Sequence, residues 1–250
     1  TNLGLLLTGA VIANLIGKFW SILSNFLFIP FYISILGFES FSIISFSLII
    51  AGLMAILDGG LTAPLSREFA LQDNILKEKI RIFKTLESTL FIIIGLSIFL
   101  IYSLSDFIAN NWLNLSSFNP SRISFFLKVI SFDIGFQFLF RFYMGGLLGL
   151  EKQIKANIYQ IGWGILRNGL IVIGIWLVPS LEMFFIWQTL TTILFAILIG
   201  LSLKKELTGH YNFDFQFKIE ISVFRKIWRF AAGMLLITVV AGLNTQMDKL

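Results

Sequence analysis

The sequence predicts an all-α polytopic membrane protein, and three observations carry that prediction. The chain is 57% hydrophobic and only 13% charged, about half the charged fraction of soluble domains. Its mean hydropathy is +0.87. Its apolar residues gather into runs of roughly 20, the length a helix needs to cross the hydrocarbon core. Cysteine is absent and histidine occurs once, as His210 in a polar loop. Neither a disulfide framework nor a thiolate or histidine metal site is therefore expected, and no cofactor is implied. A net charge of +5 is too small to imply nucleic acid as a partner. Membrane lipids are the expected surroundings.

Six spans are expected in order, at 10–36, 40–63, 86–105, 123–148, 157–178 and 181–203. A seventh begins near residue 228. The chain starts at Thr1 and stops at Leu250 within an apolar run, which gives the expectation of a piece of a longer protein. Spans two and three are separated by SREFALQDNILKEKIRIFKT, which is charged and compatible with helix. Pro30 and Pro64 are read as helix punctuation or kinks, and Gly59-Gly60 as the end of span two.

Charge placement sets an expected orientation. The loops after spans two, four and six carry thirteen Lys and Arg, whereas the loops after spans one, three and five carry only Arg122, at an edge. The positive-inside rule then puts the amino end in the cytoplasm.

Helical spacing marks faces that avoid lipid. At 100° per residue, Asn14, Lys18, Ser21, Asn25 and Tyr32 of span one share an arc of about 60°. Ser40, Ser47, Ala51 and Asp58 align on span two. Asp133, Gln137 and Arg141 follow i, i+4, i+8 on span four. Asn157, Gln160, Gly164, Arg167 and Asn168 share an arc of about 100° on span five. Such stripes imply helices surrounding something polar. Lys128 lies off its stripe and is expected to snorkel to the outer interface. Gly145 and Gly149 have the small-residue spacing of close helix packing.

Ionisable side chains at depth cost about 2.5–3.5 kcal/mol each on insertion scales, so those present need partners, water or a ligand. Lys18, Arg141 and Arg167 could form a cationic cavity for an anion, because guanidinium matches phosphate bidentately and ammonium acts as a point charge. Alternatively, Asp133 and Arg141 tie helices together as an ion pair. Asp133 is also a candidate proton-coupling carboxylate. Asp58 is expected to cap or pair at a cytoplasmic gate, with Asp248 and Lys249 as further coupling or gate candidates. No P-loop, HExxH or GxSxG pattern occurs, since GLLGLEK lacks the required spacing. No catalytic role is assigned.

The stretch NLIGKFWSILSNFLFIPFYISILGFESFSIISF, followed by LDGGLTAPLSREFA, resembles the amino-terminal signature of Wzx-type polysaccharide (O-antigen) flippases. These belong to the multidrug/oligosaccharidyl-lipid/polysaccharide exporter superfamily. The resemblance rests on Pro30, on Leu36-Gly37 with Glu39, and on Asp58-Gly59-Gly60-Leu61. Asn244, Asp248 and Lys249 in the closing LNTQMDKL resemble the start of a second lobe. It implies twelve to fourteen helices in two six-helix lobes. Residues 1–204 would be the first lobe, 205–227 a cytoplasmic linker and 228–250 the truncated start of the second. It further implies alternating access at the bacterial inner membrane and an undecaprenyl-pyrophosphate-linked oligosaccharide as substrate, for O-antigen and lipopolysaccharide biosynthesis. Ion coupling is implied, as are a polysaccharide polymerase and a chain-length regulator as partners, and no enzymatic activity. Asn14, Lys18, Asn25, Gln160, Arg167 and Asn168 would then line the cavity, with Lys18 and Arg167 on the pyrophosphate and Trp163 beside the sugar rings. A lipid II flippase or a drug/ion antiporter of the same superfamily is the alternative, though an antiporter favours an acidic lumen. A membrane enzyme of polysaccharide assembly fits less well, because the outer loops are short and hold no acid–His pair.

Overall fold

The computed structural model describes residues 26–71, 75–112, 118–209 and 216–247, together with Leu15, Gly17, Phe19, Trp20, Leu23 and Ser24; the side chains of 55–59 and 242–247 are not described. Its elements are α1 (Ile29–Leu36), α2 (Phe38–Ala70), α3 (Leu76–Asn111), α4 (Pro120–Gly149), α5 (Gln153–Gly164), a π-helical segment (Ile165–Gly169), α6 (Leu170–Leu177), α7 (Leu181–Thr208) and α8 (Ile221–Met247). Among the described residues there is no strand. Four rods are long and apolar enough to cross a membrane: α3, α4, the continuous run α5–π–α6, and α7. The first part of α2, Phe38–Met54, is a shorter apolar stretch. The chain is an all-α polytopic membrane protein, as its composition predicts.

α4 is the axis of the bundle and packs against α7, α3 and α2. Two glycines allow its close approach to α2. A Cβ built on Gly145 would lie 2.5 Å from Thr62 Cγ2, and one on Gly149 would lie 2.4 Å from the Ser66 carbonyl oxygen. The small-residue spacing thus places backbone against backbone, where lipid offers no hydrophobic driving force and contact must come from packing. Outward faces carry exposed Leu96, Phe99, Trp176 and Leu190, as lipid contact requires.

Helix ends follow local chemistry. Asn119 caps α4 by accepting from Ser121 N at 3.1 Å, ahead of Pro120 in the first turn. Ser180 caps α7 through Met183 N at 3.1 Å. Gly37 joins α1 to α2 at φ +83°, a conformation that a side chain would strain.

Three boundaries differ from expectation. In the described part of span one the helical pattern is interrupted at Phe28, and α1 starts there with Pro30 in its first turn. α2 does not stop at Gly59-Gly60 but continues through Pro64 to Ala70. Gly60 packs beside Leu235 of α8, so its missing side chain makes room for a neighbour instead of ending the helix. α8 begins at Ile221, not near 228. Val223 and Ile227, one turn apart, are buried, which extends the apolar face into a segment whose exposed side carries Arg225 and Arg229.

The basic segments meet at one end of the bundle. Lys152 and Lys155 reach Glu206 at 3.2 and 2.5 Å, and Lys204 reaches the buried Glu87 at 3.2 Å. Lys226 reaches the buried Glu68 at 3.3 Å. The extended residues 216–220 lie along α3: Lys84 Nζ donates to Gln216 Oε1 at 2.6 Å, Lys218 N donates to Ser88 Oγ at 2.9 Å, and Arg81 pairs with Glu220. At the other end, Arg122 pairs with Glu182 at 2.5 Å. Lys128 pairs there with Asp106 at 3.2 Å, so the lysine expected to snorkel has a carboxylate waiting on α3.

Candidate functional site

The polar face of α4 opens on a cavity of about 540 Å³ inside the bundle. α1, α2, α5, the π segment and α7 complete its wall. Ser47 and Ala51 come from the α2 stripe, Tyr32 from α1, and Gln160, Gly164, Arg167 and Asn168 from the fifth span. Asp133, Gln137 and Arg141 supply the α4 side. The stripes read from helical spacing therefore converge. Among the described lining residues, Asp133, Arg141 and Arg167 are the charged ones.

Asp133 pairs with Arg167, not with Arg141. The contact is bidentate, with Arg167 Nη1 to Asp133 Oδ1 at 2.6 Å and Nη2 to Oδ2 at 2.8 Å. Both side chains are 9% exposed. The expected Asp133–Arg141 pair fails on geometry, because i and i+8 stand about 12 Å apart along a helix. Gln137 occupies the gap. Its Nε2 donates to Asp133 Oδ2 at 2.9 Å, and its Oε1 accepts from Arg141 Nη2 at 3.4 Å.

Arg167 is further occupied. Its Nη1 also donates to the Gln188 carbonyl at 3.1 Å and to Thr192 Oγ1, and its guanidinium lies 5.3 Å from the Trp163 ring centroid. Trp163 itself stacks on Phe140 at 4.8 Å. The pair is thus a neutral, multiply bonded strut, the arrangement that burial of two charges demands. Arg141, half-buried, adds a second guanidinium to the cavity wall.

The π segment gives this region its backbone chemistry. A π turn widens the helix and leaves carbonyls without their usual i+4 donors. Three consecutive carbonyls here accept side-chain hydrogen bonds. Leu166 O takes Trp187 Nε1 at 2.9 Å, Arg167 O takes Gln188 Nε2 at 3.3 Å, and Asn168 O takes the Tyr32 hydroxyl at 2.7 Å. Arg167 and Gln188 therefore clasp each other reciprocally.

Five of the sequence-predicted site residues, Asp133, Arg141, Gln160, Arg167 and Asn168, line this one cavity. Asn14, Lys18, Asn25, Asp248 and Lys249 lie outside the described residues, as does the side chain of Asp58. Sequence reading missed Gln188, Thr192 and Trp187 of α7. The cluster WQTLTT inside an apolar span was the available signal, since Gln188 and Thr192 stand one turn apart. It also missed the buried carboxylates Glu68 and Glu87, each 2% exposed. Among the described residues no group of three His, Cys, Asp or Glu side chains could hold a metal ion. Comparison with family models, curated proteins and solved structures returns no match.

Proposed function

We propose that the chain belongs to a transporter whose cavity takes the head of an anionic, sugar-bearing lipid. The observation that carries the reading is one cavity wall combining two guanidinium groups, of Arg141 and Arg167, against the single acid Asp133 among its described lining residues, with the amides of Gln137, Gln160, Gln188 and Asn168 beside them. Guanidinium recognises phosphate, and amides donate to and accept from hydroxyls. A volume of about 540 Å³ falls in the ordinary range of small-molecule sites, about 300–1,000 Å³. The resemblance to Wzx-type flippases supplies the specific substrate, an undecaprenyl-pyrophosphate-linked oligosaccharide, and the direction, from cytoplasm outward by alternating access.

The roles shift from those expected on sequence. Arg167 is held by Asp133, so the pyrophosphate contact passes to Arg141, together with Lys18 of the first span. Asp133 holds Arg167 in place. Trp163, stacked on Phe140, shapes the wall. A cation-exporting antiporter is the weaker reading, because Asp133 is paired with Arg167 and the described lining holds two cations to one acid.

The test is transport of a fluorescent lipid-linked oligosaccharide in proteoliposomes holding the full-length protein. Arg141→Gln should lower the rate at least tenfold at normal protein level, whereas Arg141→Lys should keep part of it. Equal rates for wild type and Arg141→Gln would overturn the assignment.

A further inference from the structure

We propose that the fifth span is a two-register element: the π turn at Ile165–Gly169 exchanges with continuous α-helix, and Trp20 moves with it. The inference stands whatever the cavity carries. A π turn stores one residue more than the α-helix would place in the same length. Straightening it with α6 fixed drives α5 along its axis by about 1.5 Å and turns it by about 100°. Each residue of α5 then gives its place to the next in sequence. Ile161 takes the place of Gln160 on the cavity wall, and Gly164 takes that of Trp163. The widest side chain on the wall is replaced by none.

Three observations point to such an exchange. First, the π register is held from outside by donors that a continuous helix would not need: Trp187 and Gln188 of α7 and Tyr32 of α1. Second, Gly164 lies close against Trp20 and Ser24. A Cβ built there would lie 2.9 Å from Trp20 Nε1 and 3.5 Å from Ser24 Oγ. In the α register Ile165, now 45% exposed, would enter that place, so Trp20 must leave. Third, the Trp20 indole N–H is buried with no acceptor among the described residues. A buried unpaired donor is a standing cost of the present register, and departure of Trp20 relieves it. The clasp favours one register and the orphaned donor favours the other, which is what a two-state element requires.

The chain contains no cysteine, so single-cysteine variants of the full chain report the register directly. Gln160→Cys and Ile161→Cys, reconstituted in phosphatidylethanolamine/phosphatidylglycerol liposomes, are reacted with a water-soluble maleimide. In the native background Gln160→Cys should react faster. Releasing the clasp with Tyr32→Phe and Trp187→Phe should slow position 160 and speed position 161, shifting their ratio about fivefold or more for each hydrogen bond lost. Trp20→Phe, which removes the orphaned N–H while keeping a ring in place, should shift the ratio the opposite way, toward position 160, without touching the clasp. A ratio unmoved by both sets of changes, or rates that rise or fall together at both positions, would overturn the proposal.

Discussion

Asp133 and Arg167 show how a buried charge is judged by its partner. Each nitrogen–oxygen contact is under 3 Å, and Gln137, Gln188 and Thr192 absorb the remaining hydrogen-bonding capacity. Removing one member strands the other. Asp133→Asn should therefore cost about 3–5 kcal/mol of stability, read as a lowered unfolding midpoint in detergent. The double variant Asp133→Asn with Arg167→Gln should recover much of that loss, because no charge is left unpaired. Arg141 behaves oppositely: it contributes little to the strut, and Arg141→Gln should leave the unfolding midpoint within about 1 kcal/mol of wild type. On the proposed reading, these variants separate a residue that matters to transport and not to folding from one that matters to both.

At the scale of elements, contact between α4 and α2 depends on two missing side chains. Gly149→Val would put a branched side chain where a Cβ already lies 2.4 Å from the Ser66 carbonyl. Overpacking of this kind costs about 1–3 kcal/mol, with a matching fall in the unfolding midpoint; Gly95, which has nothing within 4 Å, serves as a tolerant control. The extended segment before α8 responds to pH. The Lys218 ammonium and then the Arg81 guanidinium hold the Glu220 carboxyl below its ordinary value of 4.5. A depressed carboxyl stabilises the folded contact above its unfolded pKa, and that contribution is lost as pH falls through the folded value. The protection of the Lys218 amide against hydrogen exchange, measured relative to its intrinsic rate at each pH, should fall on acidification, since that amide is bonded to Ser88 Oγ. Glu220→Gln should remove that fall. The four long apolar spans and the small-residue contact were legible in the sequence, because hydropathy and spacing encode them locally. The π turn was not, since Gly164 and Gly169 bracket it without demanding it, and its cause is the set of donors arriving from other helices.

For the whole molecule, the two ends differ in charge. Lys152, Lys155, Lys204, Lys226 and Arg81 are knitted by carboxylates at one end, and Arg122 and Lys128 at the other. On the positive-inside rule we propose that the richer end faces the cytoplasm. In intact cells, Asn119→Cys should react with a membrane-impermeant maleimide, and Lys152→Cys should react only after the membrane is opened; the reverse pattern would invert the topology. The convergence of the α2, α4 and fifth-span stripes on one cavity, with Tyr32 of the first span, was legible because each stripe avoids lipid on its own helix. Which charges pair inside was not, because helical spacing relates residues on one rod, and the Asp133–Arg167 contact joins two.

That contact also has a timetable. Asp133 is synthesised 34 residues ahead of Arg167, a lag of about 2–7 s at ordinary elongation rates of roughly 5–20 residues per second. During that interval α4 carries an unmatched acid with Gln137 and Arg141 beside it, and is a poor candidate for release into lipid. The insertion machinery should therefore retain α4 until the fifth span arrives, so that the two leave together. Slowing translation between α4 and α5 should lengthen that retention, and Asp133→Leu should shorten it.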